Sequence, residues 1–262
     1  MSDSLKDKVV FVSGANRGTG LVIAEQFLQE GARVIVHRIS ENAELPDFSN
    51  SSNVVNVWGD ITQDAGAVQV LEQTKQHFNK IHVLINNFGQ ALPGKWGSLN
   101  SDDWINSFQI NFLSTVRMCQ MYTQHLRSNE YGRIVNLSTI GAYRPGARMP
   151  HYYAAKSALS NMTASLAKEL GGTGITVNCV APGLIKTKEV EAYYRIRAQK
   201  KNWGSDWSDI EAQIAETDFP NPMKRIAKRD EIANLVVFLA SPGASFINAQ
   251  TIKIDGGALD IV

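Results

Sequence analysis

Tyr152, Tyr153 and Lys156 fall within one six-residue stretch, HYYAAK. A phenol and an ammonium one helical turn apart can act as an acid–base pair. An ordinary tyrosine, with a pKa of about 10, exchanges protons poorly near neutral pH. A nearby ammonium favours the phenolate, lowers that pKa and poises the group for general acid–base work. Spacing leaves the choice of tyrosine open, because helical neighbours at i+3 and i+4 both touch. Successive helical side chains are turned by about 100°, so only one of the two can face a given reactant.

A second group of residues reads as a phosphate cradle. The stretch SGANRGTG sets Gly14, Asn16, Arg17, Gly18, Thr19 and Gly20 after a β-branched run and before a helical pattern. Such a turn lets the backbone approach a pyrophosphate, and the following helix N-terminus supplies N–H donors and positive dipole. The next β-branched run ends in His37 and Arg38, where an NAD site usually carries a carboxylate for the ribose 2′-hydroxyl. Arg17 and Arg38 converging there would suit a 2′-phosphate by charge and fork geometry. The expected cofactor is therefore NADP(H) rather than NAD(H). The competing reading leaves both arginines solvated at the surface.

The elements that must position these residues alternate along the chain. VVFVS (9–13), RVIVH (33–37), VVNVW (54–58), HVLIN (82–86), RIVNLS (133–138), ITVNCVA (175–181) and QTIKI (250–254) read as strands. Helical periodicity occupies 21–31, 67–78, one long run at 103–127, then 152–170 and 229–241. Continuous apolar strands separated by helices predict an α/β fold, a doubly wound parallel sheet covered on both faces. With no Pro/Gly/Ser-rich linker and no repeat, residues 1–262 read as a single domain. Residues 188–221 break the rhythm, being polar yet carrying Tyr193, Tyr194, Trp203 and Trp207. They read either as a helical insertion covering the sheet or as a lid over a pocket at the C-terminal strand ends.

Composition narrows the function classes. Of 262 residues, 44% are hydrophobic and 19% charged, enough for a large core. With 26 basic and 25 acidic residues the net charge is +1, so there is no general attraction to nucleic acid or acidic membranes. Cys119 and Cys179 are the only cysteines, in no metal-binding spacing, which fits a reducing compartment. The opening residues, MSDSLKDKVVFVSG, show no targeting pattern. The expectation is a cytoplasmic protein with no metal.

INNFG (85–89), Asn111, Ser138–Thr139, YYAAK and APGLIKT (181–187) complete a pattern with the glycine turn. In that order and spacing the chain resembles the compact single-domain branch of the short-chain dehydrogenase/reductase family, from KDKVVFVSGANRGTG to IKIDGGAL. The resemblance implies a Rossmann fold, a homotetramer or homodimer, and hydride transfer between a nicotinamide and an alcohol or carbonyl. Its Tyr-x-x-x-Lys signature selects Tyr152 with Lys156 and leaves Tyr153 to pack or to border the substrate. It implies that Lys156 also holds the nicotinamide ribose, and that Asn111 supports a water in a proton relay. It places a hydroxyl 13 residues before the tyrosine, on the substrate oxygen. That count gives Thr139, whereas the distance to Gly141 favours Ser138, and both stay candidates. Asp60 and Ile61 match positions beside the adenine. Asn87 and Gly89 belong to the family's Asn-Asn-Ala-Gly, here with Phe88 in place of the small residue. Pro182, Gly183, Ile185 and Thr187 match the stretch that contacts the carboxamide. The expected activity is NADPH-dependent reduction of a ketone or aldehyde; the same residues would serve alcohol oxidation with NADP⁺. A different class, an NADP(H)-binding sensor without turnover, keeps the fold but not the need for an intact Tyr152.

Overall fold

The computed structural model describes residues 5–45, 48, 52–127 and 131–260; residues 1–4, read above for a targeting segment, lie outside these. Seven parallel strands form one sheet in the order β3-β2-β1-β4-β5-β6-β7. They are β1 (Val9–Val12), β2 (Arg33–Arg38), β3 (Val54–Trp58), β4 (Val83–Asn86), β5 (Gly132–Leu137), β6 (Ile175–Pro182) and β7 (Thr251–Ile254). The helices are α1 (Gly18–Gln29), α2 (Asp64–His77), α3 (Ser101–Phe108), α4 (Ser114–Arg127), α5 (Pro150–Glu169), α6 (Lys188–Lys201), α7 (Trp207–Gln213) and α8 (Arg229–Ala240).

Strand alternation divides the core in two. Val10, Val12, Val34, Val36 and Ile85 face Ile23 and Phe27 of α1 and Val236 and Leu239 of α8. Phe11, Ile35, Leu84 and Ile134 face the other way, onto Val70 of α2, Met118 and Tyr122 of α4, and Ala167 of α5. Chain direction across the sheet reverses between β1 and β4, each of which pairs with the other in parallel. A crevice for a ligand opens at such a switch point, at the carboxyl ends of the strands.

Two elements differ from the sequence expectation. The long helix expected over 103–127 is interrupted by a π turn, Gln109–Leu113, between α3 and α4. Apolar spacing continues through it, so periodicity could not reveal the extra residue. Residues 188–221 form α6, α7 and a second π turn, Ile214–Asp218. They hold a small core of their own, in which Tyr194, Ala198, Ile210 and Ile214 pack with Ile226, and Trp203, Trp207 and Phe219 close around it. Lys186 and Arg195 flank the Trp207 ring at 4.3 Å and 5.7 Å. The aromatics noted in the sequence thus mostly serve packing; Tyr193, 47% exposed, is the exception.

Candidate active site

The turn after β1 is built before any ligand is considered. Ser13 Oγ accepts from the main-chain N–H groups of Asn87 and Phe88, both at 3.0 Å. Asn87 Nδ2 donates to the carbonyls of Ser13 and Gly14, again at 3.0 Å. The exits of β1 and β4 are therefore stitched together. At Gly20 the approach is so close that a Cβ would stand 2.4 Å from Asn87 Nδ2. Ser13 was not singled out in the sequence; a serine directly before the first glycine was the available signal.

His37 corrects one expectation. Its side chain is fully buried, so it does not reach a ligand at the strand end. Nδ1 accepts from Gly14 N–H at 3.1 Å and Nε2 meets the Gly59 carbonyl at 2.9 Å. Burial holds the imidazole neutral, with its pKa lowered to about 4. His37 acts on the glycine turn from beneath. Phe88 stands edge-on to the same ring, 6.3 Å between centroids.

The two arginines do not share a partner. Arg38 is buried, and its Nη1 donates to the carbonyls of Ser40, Glu41 and Ala43. The loop after β2 folds back over the strand end and supplies these acceptors, which explains the departure from the expected outward fork. Arg17 is exposed; hydrogen bonds from the Glu189 main chain and from Thr187 chiefly lower the pKa of Glu189 on α6, and the charges of Arg17 and Arg229 add to this. Asp60 is exposed and its Oδ1 accepts from Thr62 N and Oγ1. The Ile61 side chain lies in the core, which leaves its main chain alone to meet a ligand.

At the chemical end, Tyr152 and Lys156 line one cavity together with Thr19, Asn87, Gly89, Gln90, Ser138, Pro182 and Ile185. Tyr153 packs elsewhere: a Cβ on Gly141 would lie 2.1 Å from its ring, and Gly146 lies under its other edge. Lys156 Nζ donates to the Leu137 carbonyl at 2.7 Å, and burial lowers its pKa to about 8. Tyr152 departs from expectation. Burial first, then the neighbouring Tyr153, pushes its pKa up, with no lowering from Lys156. The ammonium is turned to Leu137, and desolvation of the phenolate dominates.

Asn111 sits in the π turn, a common place for functional residues. Its Oδ1 accepts from Gln90 N–H at 2.9 Å and its Nδ2 donates to the Gln90 carbonyl at 3.0 Å. Gly89 separates it from the lysine: a Cβ there would stand 2.9 Å from Asn111 Oδ1 and 3.2 Å from Lys156 Nζ. The two candidate hydroxyls differ in their commitments. Ser138 Oγ donates to the Lys156 carbonyl at 3.0 Å and accepts from Ser160. Thr139 Oγ1 accepts from Gly141 N–H at 3.2 Å, and its own proton has no acceptor among the described residues. Beyond the cavity, Gly183 is covered by Phe219, and Thr187 Oγ1 caps α6 by accepting from Val190 N–H at 3.2 Å.

A Rossmann-type sheet whose switch point carries a glycine turn and a Tyr-x-x-x-Lys cavity defines a class of oxidoreductase, and the comparisons agree. Residues 14–258 match the family described as Enoyl-(Acyl carrier protein) reductase. The uncharacterized oxidoreductase YvrD of Bacillus subtilis is 30% identical over 99% of this chain and 99% of its own. The 3-oxoacyl-(acyl-carrier-protein) reductase FabG of Salmonella typhimurium is 31% identical over 97% of this chain and 98% of its own. The structure of L-sorbose reductase from Gluconobacter frateurii, complexed with NADPH and L-sorbose, superposes with a TM-score of 0.88 at 27% identity, covering 100% of both chains. The chain belongs to the short-chain dehydrogenase/reductase family, and it is an oxidoreductase.

The family implies a nicotinamide dinucleotide, and the residues present fit one. The first turn of α1 holds no acidic residue and no side-chain cap, which leaves its N–H donors for an anion. Gly18, at φ +63, has open space where a Cβ would be. Among the described residues no helix is long and apolar enough to cross a membrane.

Proposed function

We propose that this protein reduces a ketone or aldehyde to an alcohol with NADPH, the whole chain serving as one dinucleotide-binding and catalytic domain. The observation that carries the reading is the shared cavity, in which Tyr152 and Lys156 stand beside Thr19, Asn87 and Ile185. Bound NADPH would supply the hydride. Tyr152 would give its phenolic proton to the substrate oxygen, and Thr139, whose hydroxyl proton is uncommitted, would donate a hydrogen bond to that oxygen. Lys156 would hold the nicotinamide ribose and, with Asn111 and a water, return a proton to Tyr152.

NADPH is favoured over NADH because β2 ends in His37 and Arg38 with no carboxylate. Arg17 adds an exposed cation that makes no ion pair among the described residues. Gly14, Asn16, Gly18 and Gly20 would cradle the pyrophosphate, Asp60 and Ile61 would border the adenine, and Gly183 to Thr187 the carboxamide. The L-sorbose reductase complex holds NADPH, which is consistent with the choice. Titrating nicotinamide fluorescence with NADPH and NADH tests it. Much tighter NADPH binding with turnover of a carbonyl is expected; equal or tighter NADH binding would overturn the cofactor choice and favour alcohol oxidation.

A further inference from the structure

Three segments meet at Arg148, and two of them, the loop after β4 and α5, supply residues to the cavity wall. The Arg148 carbonyl accepts from Gly94 N–H at 2.8 Å, which ties it to the loop after β4 that also supplies Gln90 and Ala91 to the cavity wall. Its Nη1 donates to the phenolic oxygen of Tyr193 on α6 at 3.4 Å. The chain from Arg148 runs directly into the first turn of α5, where Tyr153 N–H donates to the Met149 carbonyl at 3.1 Å. One side chain therefore reaches from the segment leading into Tyr152 across to the insertion.

Arg148 is one of several arginines without an ion pair among the described residues, and of these it is the one that hydrogen-bonds to α6. Arg117, Arg127, Arg195, Arg197 and Arg225 each pair with a carboxylate. Arg38 and Arg133 are bound to main-chain carbonyls. Arg148 is exposed and, among the described residues, makes no ion pair; its side-chain bond is long and ends on a neutral oxygen. The sequence around it offers no acid. Residues 90–100 and 138–151 contain Lys95, Arg144 and Arg148 but neither Asp nor Glu. On the facing helix, Glu191 is already held by Lys186 and Arg195.

Building on the reductase reading, we infer that Arg148 is a specificity residue that selects carbonyl substrates carrying a carboxylate away from the reacting carbon. The planar fork matches a carboxylate, and exchanging the Tyr193 oxygen for a charged acceptor shortens and strengthens the bond.

The test is calorimetry on the complex with NADP⁺, on which a ketone cannot be reduced. Acetoacetate and levulinate are each compared with their methyl ester, in the wild type and in Arg148→Gln and Arg148→Lys variants that still bind NADP⁺. Expected is an acid that binds about tenfold or more tightly than its own ester, with that preference lost in Arg148→Gln and partly kept in Arg148→Lys. Esters binding as tightly as their acids in every pair, or a preference that survives Arg148→Gln, would overturn the inference. Turnover of the same compounds with NADPH is scored separately. Its absence throughout would count against the reductase reading, while the binding ratios still decide the role of Arg148.

Discussion

Gly14 N–H donates to His37 Nδ1 at 3.1 Å, so a side chain on β2 holds the turn that follows β1. Because Nδ1 accepts, Nε2 carries the proton and gives it to Gly59, and the two bonds together fix the tautomer. His37→Phe removes both and leaves a poorly solvated N–H in the turn. Dinucleotide affinity should fall by about tenfold, the cost of one unsatisfied buried donor. Fluorescence titration with NADPH measures this, and an unchanged affinity would mean that Ser13 and Asn87 hold the turn alone.

The same histidine makes stability depend on acid. Burial chiefly lowers both His37 and His82 to about 4. In the unfolded chain each takes up a proton near pH 6.5. Between the two values the unfolded state binds more protons, so the free energy of unfolding falls as pH falls through about 6.5 to 4. Urea melts across that window should show the slope, reduced in a His37→Phe, His82→Gln double variant. A slope identical in that variant would assign acid sensitivity to other groups.

Tyr152→Phe should lower kcat by about a hundredfold or more, the usual worth of a positioned acid, while NADPH still binds. Tyr153→Phe should keep most of the turnover, because its ring packs on Gly141 and Gly146. Steady-state rates decide between them, and the opposite ranking would move the proton donor one residue along.

Of the two hydroxyls, Thr139→Ala should reduce kcat more than Ser138→Ala. Ser138 gives its proton to the Lys156 carbonyl, so its removal is felt as a loss of stability. Measuring kcat beside the melting temperature separates the two effects; a larger kcat loss from Ser138→Ala would reverse the assignment.

Gly89→Ala should slow turnover roughly tenfold through misplacement of Asn111 or Lys156. The added methyl would stand 2.9 Å from Asn111 Oδ1, which Gln90 N–H already holds. Kinetics at saturating cofactor would show it, and a rate equal to wild type would mean that the pair can shift without cost.

Much of this architecture could be read from the chain. Seven apolar runs bounded by helical periodicity are enough to place the strands, and the ordered motifs are enough to place Tyr152 and Lys156. What escaped depends on contacts between segments remote in sequence. The role of His37 rests on a carbonyl of Gly59, and the direction of Arg38 on a loop that folds back over it. The π turn escaped because one extra residue in a helix leaves the apolar pattern intact. The upward shift of Tyr152 follows from its burial, with the Lys156 ammonium turned to the Leu137 carbonyl, and spacing along a helix gives neither.

The stitching of Ser13 to Asn87 and Phe88 also has a consequence in time. During synthesis β1 emerges early, yet its inner neighbour β4 follows only after two helices and two strands. Until then the cradle has no wall on that side, and the inner edge of β1 is an unpaired apolar strand, the kind of surface that associates wrongly. A nascent chain halted before residue 83 therefore has the glycine turn in its sequence but not its shape, and should be a chaperone client rather than a binder of dinucleotides.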